Sequence, residues 1–267
     1  QRLNGEQFPL ELSLASWDTP TNCGYATIIR DVTIRHKLET SLYSLAYHDQ
    51  LTGLPNRQRF MTLLKDSICH TQQTKTHAAL LFFDINRFKW INDTYGHAVG
   101  DQLLKAFADR LRDSLRPQDV VARLGGDEFT VILGGFSRIG DIPPRIDELM
   151  NKLLVPLQFD GREEHVTVSI GATIFPQPDT DGHMLLQQSD VAMYETKESH
   201  EHAYHFYTPA LAARTQRRTA IEHALRQAID QDLLTIAYQP QIDLQTGAIV
   251  SVEALTRWNH PEMGPLN

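Results

Sequence analysis

The sequence predicts an α+β fold in which helices pack against a central sheet. Residues 78–85 form a continuous apolar run ending in an acid, as expected for a buried strand. Residues 120–124 and 129–133 read as two further strands around the tip Gly-Gly-Asp-Glu. Apolar residues recur at helical spacing in the segments between and after these strands. Strands and helices in this order favour a sheet covered by helices.

The other elements follow from the same periodicities. Residues 6–33 alternate as two strands around a turn signal, which predicts a hairpin with one apolar face. Ile34, Leu38, Leu42 and Leu45 predict an amphipathic linker helix. Further helices are expected at 57–72, 86–95, 101–115, 138–155, 183–197 and 209–232, with a loop at 96–100. Further strands are expected at 165–175, 204–207, 234–243 and 248–256.

Composition bounds the class of protein. The 267 residues include 41% hydrophobic and 22% charged residues, which is ordinary for globular protein. The formal net charge of -8 shows no general basic footprint, so we expect no nucleic-acid partner. A phosphorylated ligand would then be met by a metal ion or by a few local cations. The first and last residues look like mid-domain sequence, which suggests a fragment of a longer parent protein.

Cysteine usage and hydropathy suggest a cytoplasmic location. The two cysteines, Cys23 and Cys69, are far apart and form no CxxC pair, which favours a reducing compartment. The longest strongly apolar run, residues 78–83, is too short to cross a bilayer, and no signal peptide is visible. The parent protein could carry membrane segments outside these residues.

Acidic residues stand at two places that a sheet could bring together. Asp84 ends the buried strand, and Asp127 and Glu128 occupy the tip of the following hairpin. Carboxylates from adjacent strands, with a backbone carbonyl, make the oxygen site that Mg²⁺ accepts together with substrate phosphates. Gly125 and Gly126 permit the tight turn and close approach of a ligand. The alternative is a plain hairpin whose acids only solvate its tip.

The segment from Phe82 to Leu104 is dense in residues suited to nucleotide recognition. Asn92 can pair with a base edge, and the Asp101 carboxylate can accept two N–H groups from guanine. Asp101 equally reads as the N-cap that opens the helix at 101–115. Lys89 can meet phosphate as a point charge.

Five motifs, in order from about Asp49 to Thr208, resemble the GGDEF family of diguanylate cyclases. They are D-Q-L-T-G-L-P-N-R, F-D-I-N-R-F-K-x-I-N-D-x-x-G-H-x-x-G-D, R-L-G-G-D-E-F, V-S-I-G-A and S-D-V-A-M-Y-E-T-K. The resemblance implies a mostly antiparallel central sheet of the nucleotide-cyclase or palm-like kind. It also implies that two GTP molecules are joined into cyclic di-GMP, with release of two pyrophosphates, by a homodimer that needs Mg²⁺ or Mn²⁺.

The same resemblance implies a metal and catalytic set. Asp84, Asp127 and the Ile85 carbonyl would hold the metal ion. Glu128 would be a further ligand or the base for the ribose 3′-hydroxyl, which makes Asp127 and Glu128 the catalytic pair.

A substrate set is implied as well. Asn92 and Asp101 would read guanine, and His97 would line the substrate. Lys89 and Lys197 would meet the phosphates.

A second nucleotide site is predicted before the hairpin. Arg116 and Asp119 form R-P-Q-D at the offset where the family carries an R-x-x-D product-inhibition site. As bare sequence, this stretch is a helix end with a local ion pair.

The sequence departs from the family after the last motif. Glu201 stands where the family commonly has an arginine that contacts phosphate. We expect this change to weaken GTP binding rather than abolish the chemistry. His200, His202 and His205 cluster here, either as solvated residues or as a transition-metal site.

Both flanks resemble other signalling domains. Residues 5–14 and 24–33 resemble the last strands of a PAS sensor domain, whose closing residues Asp31 and Thr33 match. Residues 238–261 resemble the opening of an EAL phosphodiesterase domain, in which Glu253 would bind metal and Arg257 would lie near phosphate. The remaining EAL ligands would fall beyond Asn267, so we expect no phosphodiesterase activity from these residues.

The expected domains are therefore five. They are a PAS-like end at 1–33, a linker helix at 34–48, the GGDEF domain at 49–208, a connecting helix at 209–232 and the EAL start at 233–267.

Three functions remain open at this point. The retained acids favour an active diguanylate cyclase. The EAL onset and Glu201 favour a non-catalytic module that binds GTP or cyclic di-GMP and regulates an adjacent phosphodiesterase. A dimerising signal relay would leave the acids unexplained.

Overall fold

The chain is described from a computed structural model. The described residues are 5, 7–20, 22–159, 161–199, 204–261 and 263–266. They fall into two compact units, Gln1–Tyr207 and Thr208–Asn267. Glu201, His200 and His202 lie outside the described residues.

The first unit contains six α-helices and nine strands within its described residues. The helices are α1 (Thr33–Tyr47), α2 (Arg57–Thr74), α3 (Phe88–Tyr95), α4 (His97–Ser114), α5 (Ile142–Leu153) and α6 (Gly182–Ser199). The strands are β1 (Leu10–Thr19), β2 (Asn22–Asp31), β3 (His77–Ile85), β4 (Val120–Gly125), β5 (Glu128–Phe136), β6 (Leu157–Phe159), β7 (Arg162–Glu164), β8 (Val168–Phe175) and β9 (Tyr204–Phe206). A one-turn 3₁₀ helix, Ile139–Asp141, precedes α5.

A five-stranded sheet in the order β4-β5-β3-β8-β9 forms the centre of this unit. Every pairing in it is antiparallel except that of β8 with β9. The predicted α+β class with a mostly antiparallel central sheet is therefore confirmed. β3 has a neighbour on each side, and its side chains are nearly all buried, which explains its continuous apolar run.

Alternate residues of β3 pack into two separate hydrophobic cores, because successive side chains in a strand point to opposite faces. Leu81 and Phe83 pack with residues of α4 and α5, such as Phe107 and Ile146. Leu80 and Phe82 belong to the opposite core, which α2 and α6 cover with Phe60, Leu64, Leu185 and Met193. By this alternation Asp84 lies on the face that carries α2 and α6.

A glycine fixes how closely α6 approaches the sheet. A Cβ at Gly171 of β8 would lie 1.8 Å from the Ser189 carbonyl oxygen and 2.2 Å from the Met193 amide nitrogen. Only glycine permits this contact between a helix backbone and a strand. The motif V-S-I-G-A therefore sets the position of α6, whose last turn carries Lys197.

The predicted loop at 96–100 and the helix start at Asp101 are wrong. α4 begins at His97, and Gly96, with φ of 87°, both ends α3 and precedes α4. A single glycine suffices for the junction because it adopts positive φ without steric cost. Asp101 therefore stands in the second turn of α4 and is not its N-cap.

The periodicity also missed three short strands. β6 and β7 form a small hairpin, and β12 (Gly264–Leu266) pairs with the strand before it. Each has three residues, which is too short to display an alternating pattern. The helix predicted at 138–155 begins at Ile142, after the 3₁₀ turn.

The predicted N-terminal hairpin and linker helix are present. β1 and β2 pair in register from Leu10–Asp31 to Thr19–Asn22 and form a two-stranded sheet of their own. Apolar side chains on both strands, such as Leu14 and Ile28, are exposed. α1 follows, and none of its residues is buried.

The second unit joins one helix to a hairpin. It comprises α7 (Pro209–Asp230), β10 (Leu234–Ile242), β11 (Ile249–His260) and β12, with the strands in that order. Within the described ranges of both units, no helix is long and apolar enough to cross a membrane.

Candidate active site

The end of β3 brings two acids side by side. Asp84 pairs directly with Glu128 of β5, so the two side chains lie on the same face of the sheet. Ile85, the next residue, is buried on the opposite face. The predicted meeting of the strand-end acid with the hairpin acids thus follows from the register of β3 and β5.

The turn at the hairpin tip depends on its two glycines. β4 ends at Gly125 and β5 begins at Glu128, which leaves Gly126 and Asp127 as the turn. Gly125 has φ of 145° and Gly126 has φ of 52°, values that L side chains rarely adopt. A Cβ at either glycine would meet nothing within 4 Å, so the tip is open space. The half-buried Asp127 stands beside this space.

Arg123 anchors the hairpin tip through hydrogen bonds. Its Nε and Nη2 donate to the Gly126 carbonyl oxygen at 3.0 and 2.7 Å. Its Nη1 donates to Asp49 Oδ1 at 2.8 Å, and the two side chains are only 9% and 20% exposed. Its own backbone N–H donates to the Pro55 carbonyl at 3.0 Å. The loop before α2 is thereby joined to the hairpin.

Four charged side chains are linked pairwise across the sheet, and we call them the charged row. Lys197 Nζ donates to Asp84 Oδ1 at 2.8 Å, and Glu128 Oε2 lies 3.9 Å from Arg57 Nη2. α6 packs over β8 and β3, whereas α2 packs chiefly over β4, with smaller contacts to β3 and β5. The order along the row is therefore Lys197, Asp84, Glu128, Arg57, with a cation at each end of the carboxylate pair.

Burial, together with neighbouring carboxylates, raises the pKa values of three acids near the row. Burial, and then the charge of Asp84, raise the pKa of Asp127. Burial also raises the pKa of Glu128; Arg57 opposes this, and the charges of Asp190, Asp127 and Asp84 add to it. Asp190 of α6 has its pKa raised by burial and by Asp84. Crowding of this kind favours a bound cation, which would stabilise the ionised forms.

The oxygen donors at this end of the sheet are of the chemical type that Mg²⁺ and Mn²⁺ accept. Asp84, Asp127 and Glu128 offer carboxylate oxygens, and Ile85 offers a backbone carbonyl oxygen at the end of β3. Mg²⁺ is bound by hard oxygen ligands, usually one or two carboxylates together with substrate phosphates. Among the described residues, no three His, Cys, Asp or Glu side chains are grouped so as to hold a metal ion by themselves.

The predicted guanine readers lie on either side of the junction between α3 and α4, with Asn92 on α3 and Asp101 on α4. A Cβ at Gly100 would lie 1.9 Å from Asn92 Oδ1, so the Asn92 amide rests on the first turns of α4. Asp101 follows Gly100 and is exposed. Only two residues separate β3 from α3, so α3 begins close to the end of β3. Lys89 and His97 are exposed on α3 and α4.

Arg116 lines a separate cavity of about 380 Å³, and Asp119 does not line it but accepts a hydrogen bond from the Arg116 backbone. The Asp119 side chain is only 2% exposed and accepts the Arg116 backbone N–H at 3.0 Å and the Gly134 N–H at 3.3 Å. Arg145 Nη2 lies 3.4 Å from Asp119 Oδ2. Arg145 also lines the cavity, and its buried Nε and Nη1 have no hydrogen-bond partner, although Nη1 lies 3.0 Å from Glu148 Oε2.

Sequence reasoning missed four residues that the fold brings to these places. Arg57 and Asp49 lie in a motif that had been recognised, without a role for either. Asp190 likewise lies in a recognised motif, S-D-V-A-M-Y-E-T-K, without a role assigned to it. Arg145 carries no local signal, because its relevance depends on helix packing. Of the predicted cluster of three histidines, His205 is the member that lies within the described residues. Its Nδ1 lies 3.0 Å from Thr196 Oγ1.

Comparison with known proteins identifies the family. The family described as "Diguanylate cyclase, GGDEF domain" matches residues 46–203, and "EAL domain" matches residues 222–266. The chain belongs to the GGDEF family, with a short EAL match after it. No comparison bears on the PAS resemblance of residues 1–33 or on the predicted domain boundaries, which stay predictions.

Curated relatives carry both signalling activities in their names. The chain is 36% identical over 223 residues to "Bifunctional diguanylate cyclase/cyclic di-GMP phosphodiesterase MucR" of Pseudomonas aeruginosa, covering 84% of this chain and 32% of that protein. It is 36% identical over 226 residues to "Cyclic di-GMP phosphodiesterase NbdA" of the same organism, covering 85% and 29%. The chain thus spans about a third of the length of these relatives.

Solved structures agree with the fold. The GGDEF domain of PA1120 (TpbB or YfiN) from Pseudomonas aeruginosa matches with a TM-score of 0.54 and 38% identity, covering 57% of this chain and 89% of that one. The coiled coil and GGDEF domain of DgcB from Caulobacter crescentus, in complex with c-di-GMP, matches with a TM-score of 0.56 and 27% identity, covering 65% and 91%.

Proposed function

We propose that the chain is a diguanylate cyclase that condenses two GTP molecules into cyclic di-GMP and releases two pyrophosphates. The observation that carries this proposal is the pairing of Asp84 with Glu128 across β3 and β5, beside the open turn at Asp127. A protein that only relayed a signal would gain nothing from carboxylates whose burial and mutual proximity raise their pKa values.

We assign the guanine base and the phosphates of GTP to different groups of residues. Asn92 and Asp101 hydrogen-bond the guanine edge, and Gly100 leaves room for the Asn92 amide. His97 lines the substrate, and Lys89 and Lys197 meet the phosphates. Lys197 approaches from the end of α6, where it already holds Asp84.

The chemistry is a nucleotidyl transfer performed twice. The ribose 3′-oxygen of one GTP forms a bond to the α-phosphorus of the other, the bond from that phosphorus to the bridging oxygen breaks, and pyrophosphate leaves with the electron pair. Glu128 accepts the 3′-hydroxyl proton. Mg²⁺ or Mn²⁺, held by Asp84, Asp127, Glu128 and the Ile85 carbonyl, would supply charge stabilisation for the phosphates.

A homodimer supplies the second nucleotide. One domain binds one GTP, and the two-fold symmetric product requires two domains facing each other. The exposed apolar residues of α1, Ile34, Leu38, Leu42 and Leu45, are available to pair with a second copy. We place the activity in the cytoplasm, because GTP is found there and because Cys23 and Cys69 are unpaired thiols.

Incubation of the purified chain with GTP and Mg²⁺ tests the proposal. We expect cyclic di-GMP and two equivalents of pyrophosphate, measured by chromatography, and no product when EDTA is added. A dimeric chain that binds GTP but forms no product would instead be a regulatory module.

The regulatory module is the second candidate function. It is favoured by the phosphodiesterase named among the relatives and by the EAL match at residues 222–266. In that case GTP or cyclic di-GMP would bind and alter an adjacent phosphodiesterase in the parent protein. The PAS-like end would then be the input domain, and the EAL domain the output.

The cavity beside Arg116 is the proposed product-inhibition site. Arg116 and Arg145 present cations to phosphate, and Asp119, which is nearly buried, orients Arg145. Arg145 Nε, which has no hydrogen-bond partner, gives this cavity hydrogen-bonding capacity for a ligand.

We expect Arg116→Ala to relieve product inhibition. Removal of one charge-assisted contact costs about 1.5–3 kcal/mol, or roughly 10- to 100-fold in the inhibition constant for cyclic di-GMP. Initial rates at increasing cyclic di-GMP measure the effect, and Arg112→Ala, on the same segment, is the matched control. Inhibition that is unchanged in Arg116→Ala would refute the assignment.

A further inference from the structure

We propose that Arg57 binds the β- and γ-phosphates of GTP, as a second cation at the opposite end of the charged row from Lys197. This inference rests on the proposed function and adds a residue that binds the leaving group. It is carried by the order of the row, in which each carboxylate of the central pair has one outer cation.

The backbone of Arg57 is fixed relative to the hairpin. Arg57 is the first residue of α2, and the preceding Asn56 caps the helix by accepting the Arg59 N–H at 3.1 Å. The Asn56 amide donates to the Ala46 carbonyl at 2.8 Å, and the Pro55 carbonyl accepts the Arg123 N–H. These contacts set where the Arg57 guanidinium can reach, although the side chain itself is 61% exposed.

The ion pair with Glu128 does not by itself account for Arg57. The two charges are 3.9 Å apart, and both side chains are substantially exposed, so the pair contributes little to stability. A guanidinium that is exposed, charged and loosely held beside a ligand site is suited to phosphate. Its planar fork donates two parallel hydrogen bonds, which a lysine cannot do.

Charge balance points the same way. Asp84, Asp127, Glu128 and Asp190 place four carboxylates where a triphosphate must approach, and a metal ion offsets only part of their charge. Lys197 offsets charge at the Asp84 end. Arg57 is the cation at the Glu128 end, and a triphosphate lying along the row would meet both.

The test separates phosphate contact from a structural role. The full chain is titrated, in Mg²⁺, with the GTP analogue whose α- and β-phosphates are joined by methylene, and separately with GMP. Calorimetry gives both affinities for the unaltered chain, Arg57→Gln, Arg57→Lys and the control Lys65→Gln, which alters an exposed cation two turns further along α2.

We expect Arg57→Gln to lower the affinity for the analogue about 10-fold or more and to leave the affinity for GMP unchanged. Arg57→Lys should recover part of the loss, and Lys65→Gln should match the unaltered chain. Equal affinity of Arg57→Gln and the unaltered chain would overturn the role of Arg57 while leaving the proposed function intact. A parallel loss for GMP, or an equal loss in Lys65→Gln, would also overturn it. No binding of the analogue to the unaltered chain would overturn both.

Discussion

Glu128→Gln is expected to lower the rate of cyclic di-GMP formation by about 10²- to 10⁴-fold, the range for loss of a general base. The substitution keeps the size of the side chain and its place opposite Asp84 but removes the acceptor for the 3′-hydroxyl proton. Asp127→Asn should lower the rate as well, through weakened metal binding. Rates are measured at saturating GTP with both Mg²⁺ and Mn²⁺.

The control for the Glu128→Gln and Asp127→Asn variants is Glu163→Gln. Glu163 is an exposed glutamate in the β6–β7 hairpin, and its variant should retain full activity. The folded state of each variant is checked by circular dichroism. If Glu128→Gln kept more than about a tenth of the rate, Glu128 would not be the base. Excess Mn²⁺ that restored Asp127→Asn but not Glu128→Gln would separate the metal ligand from the base.

The sequence predicted the central part of this site because it depends on local patterns. A buried strand ends at Asp84, and a hairpin turns at Gly125 and Gly126, so adjacency of the acids required only that the two strands pair. The register of β3 and β5 supplies that pairing. The mostly antiparallel order of the sheet came from family resemblance rather than from periodicity, which does not encode strand order.

Other features depend on contacts between distant parts of the chain. Arg57 meets Glu128, and Arg123 meets Asp49, across more than seventy residues. No local spacing indicates such pairs. The start of α4 was misplaced for a different reason: glycine and histidine at 96–97 are typical of loops, and the fold overrides that preference by packing α4 on the central sheet.

Arg123→Met is expected to destabilise the first unit by about 3–5 kcal/mol, because it leaves Asp49 partly buried without its cation. The Gly126 carbonyl would also lose two donors, so the turn that presents Asp127 should loosen. Urea unfolding measures the free energy, and hydrogen exchange in β4 and β5 locates the loss. A change below about 0.5 kcal/mol would contradict a structural role for this contact.

The pH dependence of stability gives an independent check on the same contact. Burial alone would raise the pKa of Asp49, but hydrogen bonds from Thr52 and Arg123 win and lower it. A carboxyl whose pKa is lower in the folded state contributes stability above its unfolded pKa, near 3.9, and loses it as the pH falls through the folded value. Arg123→Met removes part of that lowering, so its unfolding free energy should fall less steeply below about pH 4 than that of the unaltered chain. Asp49→Asn should flatten the same acid limb further. A double-mutant cycle of the two positions then gives the coupling through which the loop before α2, and with it Arg57, is held against the hairpin.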